Sequence, residues 1–282
     1  MAQRIDIFDS TLRDGAQAEG ISFSVEDKLK IVKALDTLGI AYIEAGNPGS
    51  NPKDIEFFEK VEAVKLKTAK LTAFGSTRRW DSSVDEDKNI RLLLSANTPA
   101  IAIFGKSWDF HVAEILKTTL EENLKMITDT VAYFKEKGKE VIYDAEHFFD
   151  GYKSNHAYAM RTLQAAAQGG ADCLVLCDTN GGSFPSDVFN IVQEVKKNFD
   201  IKIGIHTHND CGMAVANAIM AVEAGAEQVQ GTYTGFGERC GNANLSTIIP
   251  NLQIKQHYIC IPENQLVNLT KTARKISEIA NV

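Results

Sequence analysis

Short apolar runs alternate with longer amphipathic segments along almost the whole chain. Eight of the runs have the length and the bulky apolar character of β-strands. They cover residues 5–9, 42–45, 71–74, 100–104, 140–144, 173–177, 201–206 and 228–232. Because strands that alternate with helices form parallel sheets, the pattern predicts an α/β fold with a parallel sheet.

The segments between the strands carry the start and stop signals of helices. Ser24 begins a Ser-Val-Glu-Asp run typical of a capping box, and Gly39 ends the helical periodicity that follows. Segments 118–137, 185–198 and 213–224 are further helices, and 245–252 supplies the helix after the eighth strand. Eight such repeats without a long insertion predict a (β/α)8 TIM barrel. A doubly wound open sheet is the alternative, but no Gly-x-Gly-x-x-Gly turn follows the first strand.

The sequence predicts a domain boundary near residue 260. Residues 1–260 account for the complete barrel, and Ile261-Pro262 introduces a further amphipathic helix over 263–280. A helix outside a complete barrel has to pack on another surface. We interpret 261–282 as a helical extension and as the start of a C-terminal region that is missing from this chain or supplied by a partner subunit.

Composition narrows the function classes. The chain has 282 residues, 44% hydrophobic and 24% charged, and a net charge of −7. The acidic balance disfavours nucleic acid and anionic membrane surfaces as partners, and no run approaches the ~20 apolar residues of a membrane span. Without a signal peptide at its start, and with five cysteines that are interpreted as free thiols, the chain is expected to be cytoplasmic.

A histidine pair follows the seventh predicted strand. His206 and His208 lie two residues apart, so an extended backbone presents both imidazoles on one face. With Asp14, which follows the first strand, they form a two-nitrogen, one-oxygen set that suits Zn, Mn or Mg. The alternative is a pair of ordinary polar residues at a strand end.

Three motifs resemble the DRE-TIM metallolyase superfamily, in the order that the superfamily shows. They are Asp-Ser-Thr-Leu-Arg-Asp-Gly at 9–15, His-Thr-His-Asn-Asp at 206–210 and Gly-Glu-Arg-Cys-Gly-Asn at 237–242. The resemblance is to the Claisen-condensing branch, which contains the 2-isopropylmalate, homocitrate and citramalate synthases. Residues 47–54, 73–79, 104–108 and 146–152 are most similar to the citramalate synthases.

The resemblance implies roles for residues at the predicted strand ends. Asp14, His206 and His208 would bind a divalent cation, with Asn242 as a fourth or weaker ligand. The ion would chelate a 2-oxo acid and polarise its keto group.

Arg13 would neutralise the alkoxide that develops on the keto oxygen as the new bond forms. Its alternative role is a structural salt bridge to a carboxylate at the barrel mouth, such as Glu44. Glu146, after the fifth strand, is the candidate general base that removes a methyl proton from acetyl-CoA.

The remaining candidates would bind substrate. Thr179 would donate its hydroxyl to the substrate carboxylate, although a helix N-cap also fits its local sequence. Gln17 follows the first strand and would contact substrate. Phe104 and Tyr143, at the ends of the fourth and fifth strands, would form a wall that admits a methyl group and excludes an isopropyl group.

These interpretations predict an acyltransferase that condenses acetyl-CoA with a 2-oxo acid. The expected oxo acid is pyruvate, which would give citramalate. A 2-isopropylmalate synthase and a lyase that uses the same metal site are enzymatic alternatives. A barrel that binds but does not turn over is the third alternative, because the family also uses a histidine from a C-terminal region. The expected assembly is a homodimer.

Overall fold

The computed structural model describes residues 2–282. Eight parallel strands, β1 to β8, close into a barrel in which each strand pairs with its sequence neighbours and β8 pairs with β1. In chain order the strands are Asp6–Asp9, Tyr42–Glu44, Lys70–Ser76, Ala100–Lys106, Glu140–Glu146, Cys173–Asp178, Lys202–Thr207 and Gln228–Gly231. The predicted (β/α)8 barrel is confirmed, and the open sheet is excluded because no strand edge is left unpaired among these residues.

Helices cover the outside of the barrel. The α-helices α1 to α11 are Val25–Leu38, Pro52–Val61, Lys88–Ser95, Asp109–His111, Leu120–Glu136, Phe148–Ser154, His156–Gly169, Pro185–Asn198, Ala214–Glu223, Leu245–Pro250 and Leu269–Ala280. Tighter 3-10 turns occupy Gly15–Gln17 and Glu263–Asn268, and wider π-type turns occupy Val112–Leu116 and Asn251–Lys255.

Local sequence explains the helix ends that were predicted. The Ser24 side chain accepts from the backbone N–H of Asp27, and the Asp27 carboxylate accepts from Ser24, so the capping box is present. Gly39 ends α1 with φ at +93°, a left-handed conformation that favours glycine.

Alternation along the strands sorts the side chains into two cores. Inward residues such as Phe8, Ala102 and Val175 fill the lower barrel, whereas outward residues such as Ile103 and Leu174 pack against the helices. The upper end of the barrel interior is polar instead. Its buried residues include Glu44, Asp144, His206 and Gln230. Burying polar groups is costly unless they are paired, so this polar layer is the candidate for the functional site.

The C-terminal helix α11 lies on the outside of the barrel. Ile276 and Ala280 are buried in the same apolar core as the barrel helices, and the Tyr233 hydroxyl donates to the Leu269 carbonyl. The division at residue 260 stays a prediction. None of the helices in residues 2–282 combines the length and apolar character needed for a membrane span.

Candidate active site

Asp14, His206 and His208 converge at the carboxyl-terminal mouth of the barrel. One possible ligand atom from each lies within 4.8 Å of the others. The two Nε2 atoms are 3.0 Å apart, and Asp14 Oδ2 lies 3.4 Å from His206 Nε2 and 3.7 Å from His208 Nε2. All three side chains are buried. The spacing that the sequence suggested therefore does place both imidazoles and the carboxylate around one point.

Two side-chain oxygens of the predicted ligand residues lack hydrogen-bond partners among the described residues. They are Asp14 Oδ1 and Asn242 Oδ1, both buried. The Asn242 amide nitrogen donates to the Phe236 carbonyl at 3.2 Å, which leaves its oxygen as the free end. Because an unpaired buried oxygen is costly, these two atoms fit a group that would accept their lone pairs. The donor set therefore fits a divalent cation.

The groups around Asp14 keep its carboxylate ionised. Burial by itself would raise the pKa of the Asp14 carboxyl, but the Arg13 guanidinium and the neighbouring imidazoles of His206 and His208 hold it well below its usual range. An ionised carboxylate is the form that ligates cations.

The two histidines differ in how their protons are held. His208 Nδ1 lies 2.9 Å from Arg239 Nη2, and a guanidinium can only donate, so Nδ1 is the acceptor and the proton lies on Nε2. If His208 bound an ion through Nε2, that proton would have to move to Nδ1. Arg239 would then have to give up its hydrogen bond to Nδ1. His206 Nδ1 instead faces the Gln230 side-chain oxygen at 2.9 Å.

Arg13 is held on two sides and against an aromatic ring. Its Nε donates to Glu44 at 2.7 Å, Nη1 lies 3.2 Å from Asp14 Oδ2, and the guanidinium lies 3.7 Å from the centre of the Phe74 ring. The salt bridge to Glu44 that we considered as an alternative role is therefore present. It coexists with exposure to the cavity, since Arg13 is also a lining residue.

A cavity of about 220 Å³ opens over the cluster. Its lining residues are Arg13, Asp14, Gln17, Phe74, Phe104, Asp144, Glu146, Cys177, Thr179, His206, His208 and Glu238. Eight predicted site residues are among them. Asn242 is not a lining residue, but it forms a β-bridge with His208.

Tyr143 does not line this cavity. It is fully buried in the outer core between the sheet and the helices, and it packs against Gly105 of β4. Since side chains alternate along a strand, Asp144 and Glu146 of β5 face inward and Tyr143 must face outward. The structure thus separates Tyr143 from the other predicted wall residue, and Phe74 lies beside Phe104 instead, with ring centres 5.2 Å apart.

Glu146 and Thr179 are each held by a neighbour. The Lys106 ammonium donates to Glu146 Oε2, because Lys106 of β4 is in register with Glu146 of β5. The Thr179 hydroxyl oxygen accepts from the backbone N–H of His147 at 2.8 Å, which leaves the hydroxyl hydrogen available to another acceptor. Thr179 caps no helix, since the next helix has Phe184 as its N-cap residue.

The site contains several residues that were absent from the sequence-based set. Phe74, Lys106, Asp144 and Gln230 lie beside the predicted residues, and burial raises the pKa of Asp144 to about 7 with help from the Glu44 charge. All four share the inward parity of their strands, a signal that the sequence does contain.

Comparison with known proteins places the chain in a family. The HMGL-like family matches residues 4–281. The chain is 57% identical to an (R)-citramalate synthase of Aquifex aeolicus, over 100% of this chain and 54% of the relative. It is 35% identical to a 2-isopropylmalate synthase of Staphylococcus epidermidis, over 100% of this chain and 55% of the relative.

The fold has close counterparts among solved structures. A Bacillus subtilis HMG-CoA lyase superposes with a TM-score of 0.82 at 20% identity, covering 99% of this chain and 94% of that chain. The chain spans about half the length of the two synthases above, at 54% and 55% of their residues. With almost its entire length matched, the chain belongs to the HMGL-like family.

Proposed function

We propose that this barrel condenses acetyl-CoA with pyruvate and hydrolyses the thioester, giving citramalate and free CoA. The observation that carries the proposal is the convergence of Asp14, His206 and His208 within 4.8 Å of one another in a cavity that Arg13 and Glu146 also line. Similarity to (R)-citramalate synthases, at 46–57% identity, supports the choice of substrates.

Asp14, His206 and His208 would hold a divalent cation, with Asn242 Oδ1 as a further donor. Such an ion supplies Lewis acidity to a chelated 2-oxo acid. Zn, Mn and Mg all suit this mixed nitrogen and oxygen set.

The metal site makes a direct prediction. Replacing His206 or His208 with Ala, or Asp14 with Ala, should abolish high-affinity binding of one divalent ion per chain, because each removes one of the three principal ligands. Titration of the metal-free chain with Mn²⁺, Zn²⁺ and Mg²⁺ by calorimetry measures this. His156→Ala is a matched control, since His156 pairs with Glu194 on an exposed surface. Wild-type affinity in the Asp14 and His206 variants would contradict the site.

Arg13 would stabilise the negative charge that develops on the keto oxygen. Its Nε donates to Glu44 and its Nη1 lies beside Asp14, and within residues 2–282 its Nη2 makes no hydrogen bond. A donor fixed in advance at the reacting oxygen costs no reorganisation during the reaction.

Glu146 would remove the methyl proton of acetyl-CoA. The Lys106 ammonium donates to one oxygen of the carboxylate, which holds the Glu146 side chain in the lining of the cavity. Thr179 and Gln17 would bind the carboxylate of the oxo acid, the first through its free hydroxyl hydrogen and the second through its amide.

Phe74 and Phe104 would form the wall that selects a small oxo acid. Their rings stack at 5.2 Å, and both line the cavity. Phe104→Ala should raise kcat/KM for 2-oxoisovalerate relative to pyruvate by about 10- to 200-fold, the range for one methylene group in an apolar pocket. Tyr143→Phe is the control that should leave the ratio unchanged, because Tyr143 faces the outer core. An unchanged ratio in Phe104→Ala would remove Phe104 from the wall.

One assay separates the candidate functions. Release of CoA thiol is followed with pyruvate, 2-oxobutanoate, 2-oxoisovalerate and 2-oxoglutarate. Preference for 2-oxoisovalerate would replace the citramalate proposal with 2-isopropylmalate synthesis, and cleavage of citramalate without condensation would indicate a lyase. The same assay on a longer chain with a C-terminal region tests whether the barrel needs that region for turnover.

A further inference from the structure

Gln230 lies between His206 and Asp144 on the inward face of β8. Its side-chain oxygen is 2.9 Å from His206 Nδ1, and its nitrogen is 3.0 Å from Asp144 Oδ1. The three side chains are buried, and the Gln230 side chain is fully inaccessible. Each amide end therefore has a partner, one on the neighbouring strand β7 and one across the barrel on β5.

The two ends of the Gln230 amide are chemically different, and this fixes the direction of the hydrogen bonds from His206 to Asp144. The Asp144 carboxyl oxygen accepts a hydrogen bond, so the NH2 end of Gln230 turns toward it. The carbonyl end then faces His206, where it can only accept, so Nδ1 of His206 carries the proton. His206 Nε2 is left with its lone pair aimed at the point that Asp14 and His208 also face.

We propose that Gln230, oriented by Asp144, is a positioning residue that holds His206 in the tautomer able to ligate a divalent cation. The inference rests on the metal site of the proposed function. Groups that hold the second nitrogen of a ligating histidine typically change metal affinity 10- to 100-fold. Within the pair of histidines this gives His206 the pre-organised role, since His208 has Arg239 at its Nδ1.

The chain offers a matched control two residues away. Gln228 is on the same strand and the same inward face, and it is also buried. It accepts a hydrogen bond from Gln230 at 3.4 Å and makes no hydrogen bond to His206. Gln228→Leu therefore removes a buried amide from the same environment and leaves the acceptor at His206 Nδ1 in place.

The test uses Mn²⁺ alone as the probe and the complete 282-residue chain. Free Mn²⁺ is counted by its paramagnetic resonance signal in titrations of wild type, Gln230→Leu, Gln228→Leu and the double variant Gln230→Glu/Asp144→Asn. In the double variant the amide and the carboxylate exchange places, so an acceptor still faces His206. We expect Gln230→Leu to weaken Mn²⁺ binding about 10- to 100-fold, Gln228→Leu to bind as wild type, and the double variant to recover most of the loss.

A second readout needs no variant of Gln230. Nitrogen NMR of metal-free chain labelled at histidine reports which ring nitrogen of His206 is protonated, and His206→Gln assigns the signal. We expect Nδ1–H in wild type. Protonation of Nε2 in wild type, or Mn²⁺ binding by Gln230→Leu equal to that of wild type, overturns the inference and leaves the metal site standing. Wild-type chain that binds Mn²⁺ no better than Asp14→Ala fails the metal site itself.

Discussion

Arg13→Lys should lower kcat about 10²- to 10³-fold while the chain still binds its divalent ion, because it removes a preorganised donor from the developing alkoxide. The guanidinium is planar, lies flat on Phe74 at 3.7 Å and is fixed through Nε by Glu44. An ammonium group carries the same charge but has neither the planar face nor the second prong. The ammonium would pair with Glu44, and no hydrogen-bond donor would then point at the keto oxygen.

The measurements for Arg13 are CoA thiol release with pyruvate and calorimetric titration with the metal. Loss of turnover with unchanged metal affinity assigns Arg13 to the reaction. Loss of both would show that the salt bridge to Glu44 mainly keeps Asp14 in place, which is the structural role. Near-normal turnover would exclude Arg13 from transition-state stabilisation.

The barrel could be predicted because its signals are local and repeated. Eight apolar runs with helices between them leave few topologies, and the sequence bounds of α8 agree with the structure at both ends. The metal cluster could be predicted for a similar reason. The two-residue period of a strand puts His206 and His208 on one face. Closure of the barrel pairs β1 with β8, and β7 pairs with the other edge of β8.

The prediction for Tyr143 used the size of its side chain and neglected the face of the strand on which it lies. Glu146 and Tyr143 are three residues apart on one strand, so they cannot both face the cavity. Once Glu146 is placed inward, Tyr143 has to face the helices, and this could have been inferred from the sequence.

The contacts of Phe74, Lys106 and Gln230 depend on register, which the sequence does not encode locally. Ser76 of β3 is opposite Phe104 of β4, and Lys106 is opposite Glu146. These offsets result from the stagger of the closed barrel. The sequence shows the residue type and its position at a strand end, but it does not show which residue of the neighbouring strand lies opposite.

Glu146→Gln should lower the rate of condensation about 10²- to 10⁴-fold, the usual contribution of a positioned general base. Glutamine keeps the shape of the side chain but cannot accept a methyl proton from acetyl-CoA. Lys106 would still be able to donate to the amide oxygen, so the side chain should keep its place at the end of β5.

Exchange of the acetyl-CoA methyl hydrogens isolates the proton transfer from later steps. Acetyl-CoA with a deuterated methyl group is incubated with the chain and an oxo acid. Loss of deuterium from recovered acetyl-CoA is followed by mass spectrometry, together with any loss from the product beyond the one deuteron that condensation removes. Glu140→Gln is the matched control, because Glu140 is the first residue of the same strand, at the opposite end of the barrel, where it accepts from Tyr42 and Lys70. Slow exchange in Glu146→Gln with normal exchange in Glu140→Gln would assign the base. If both variants exchange at the wild-type rate, the proton leaves to another group, and Glu146 serves only to fix Lys106 at the rim of the cavity.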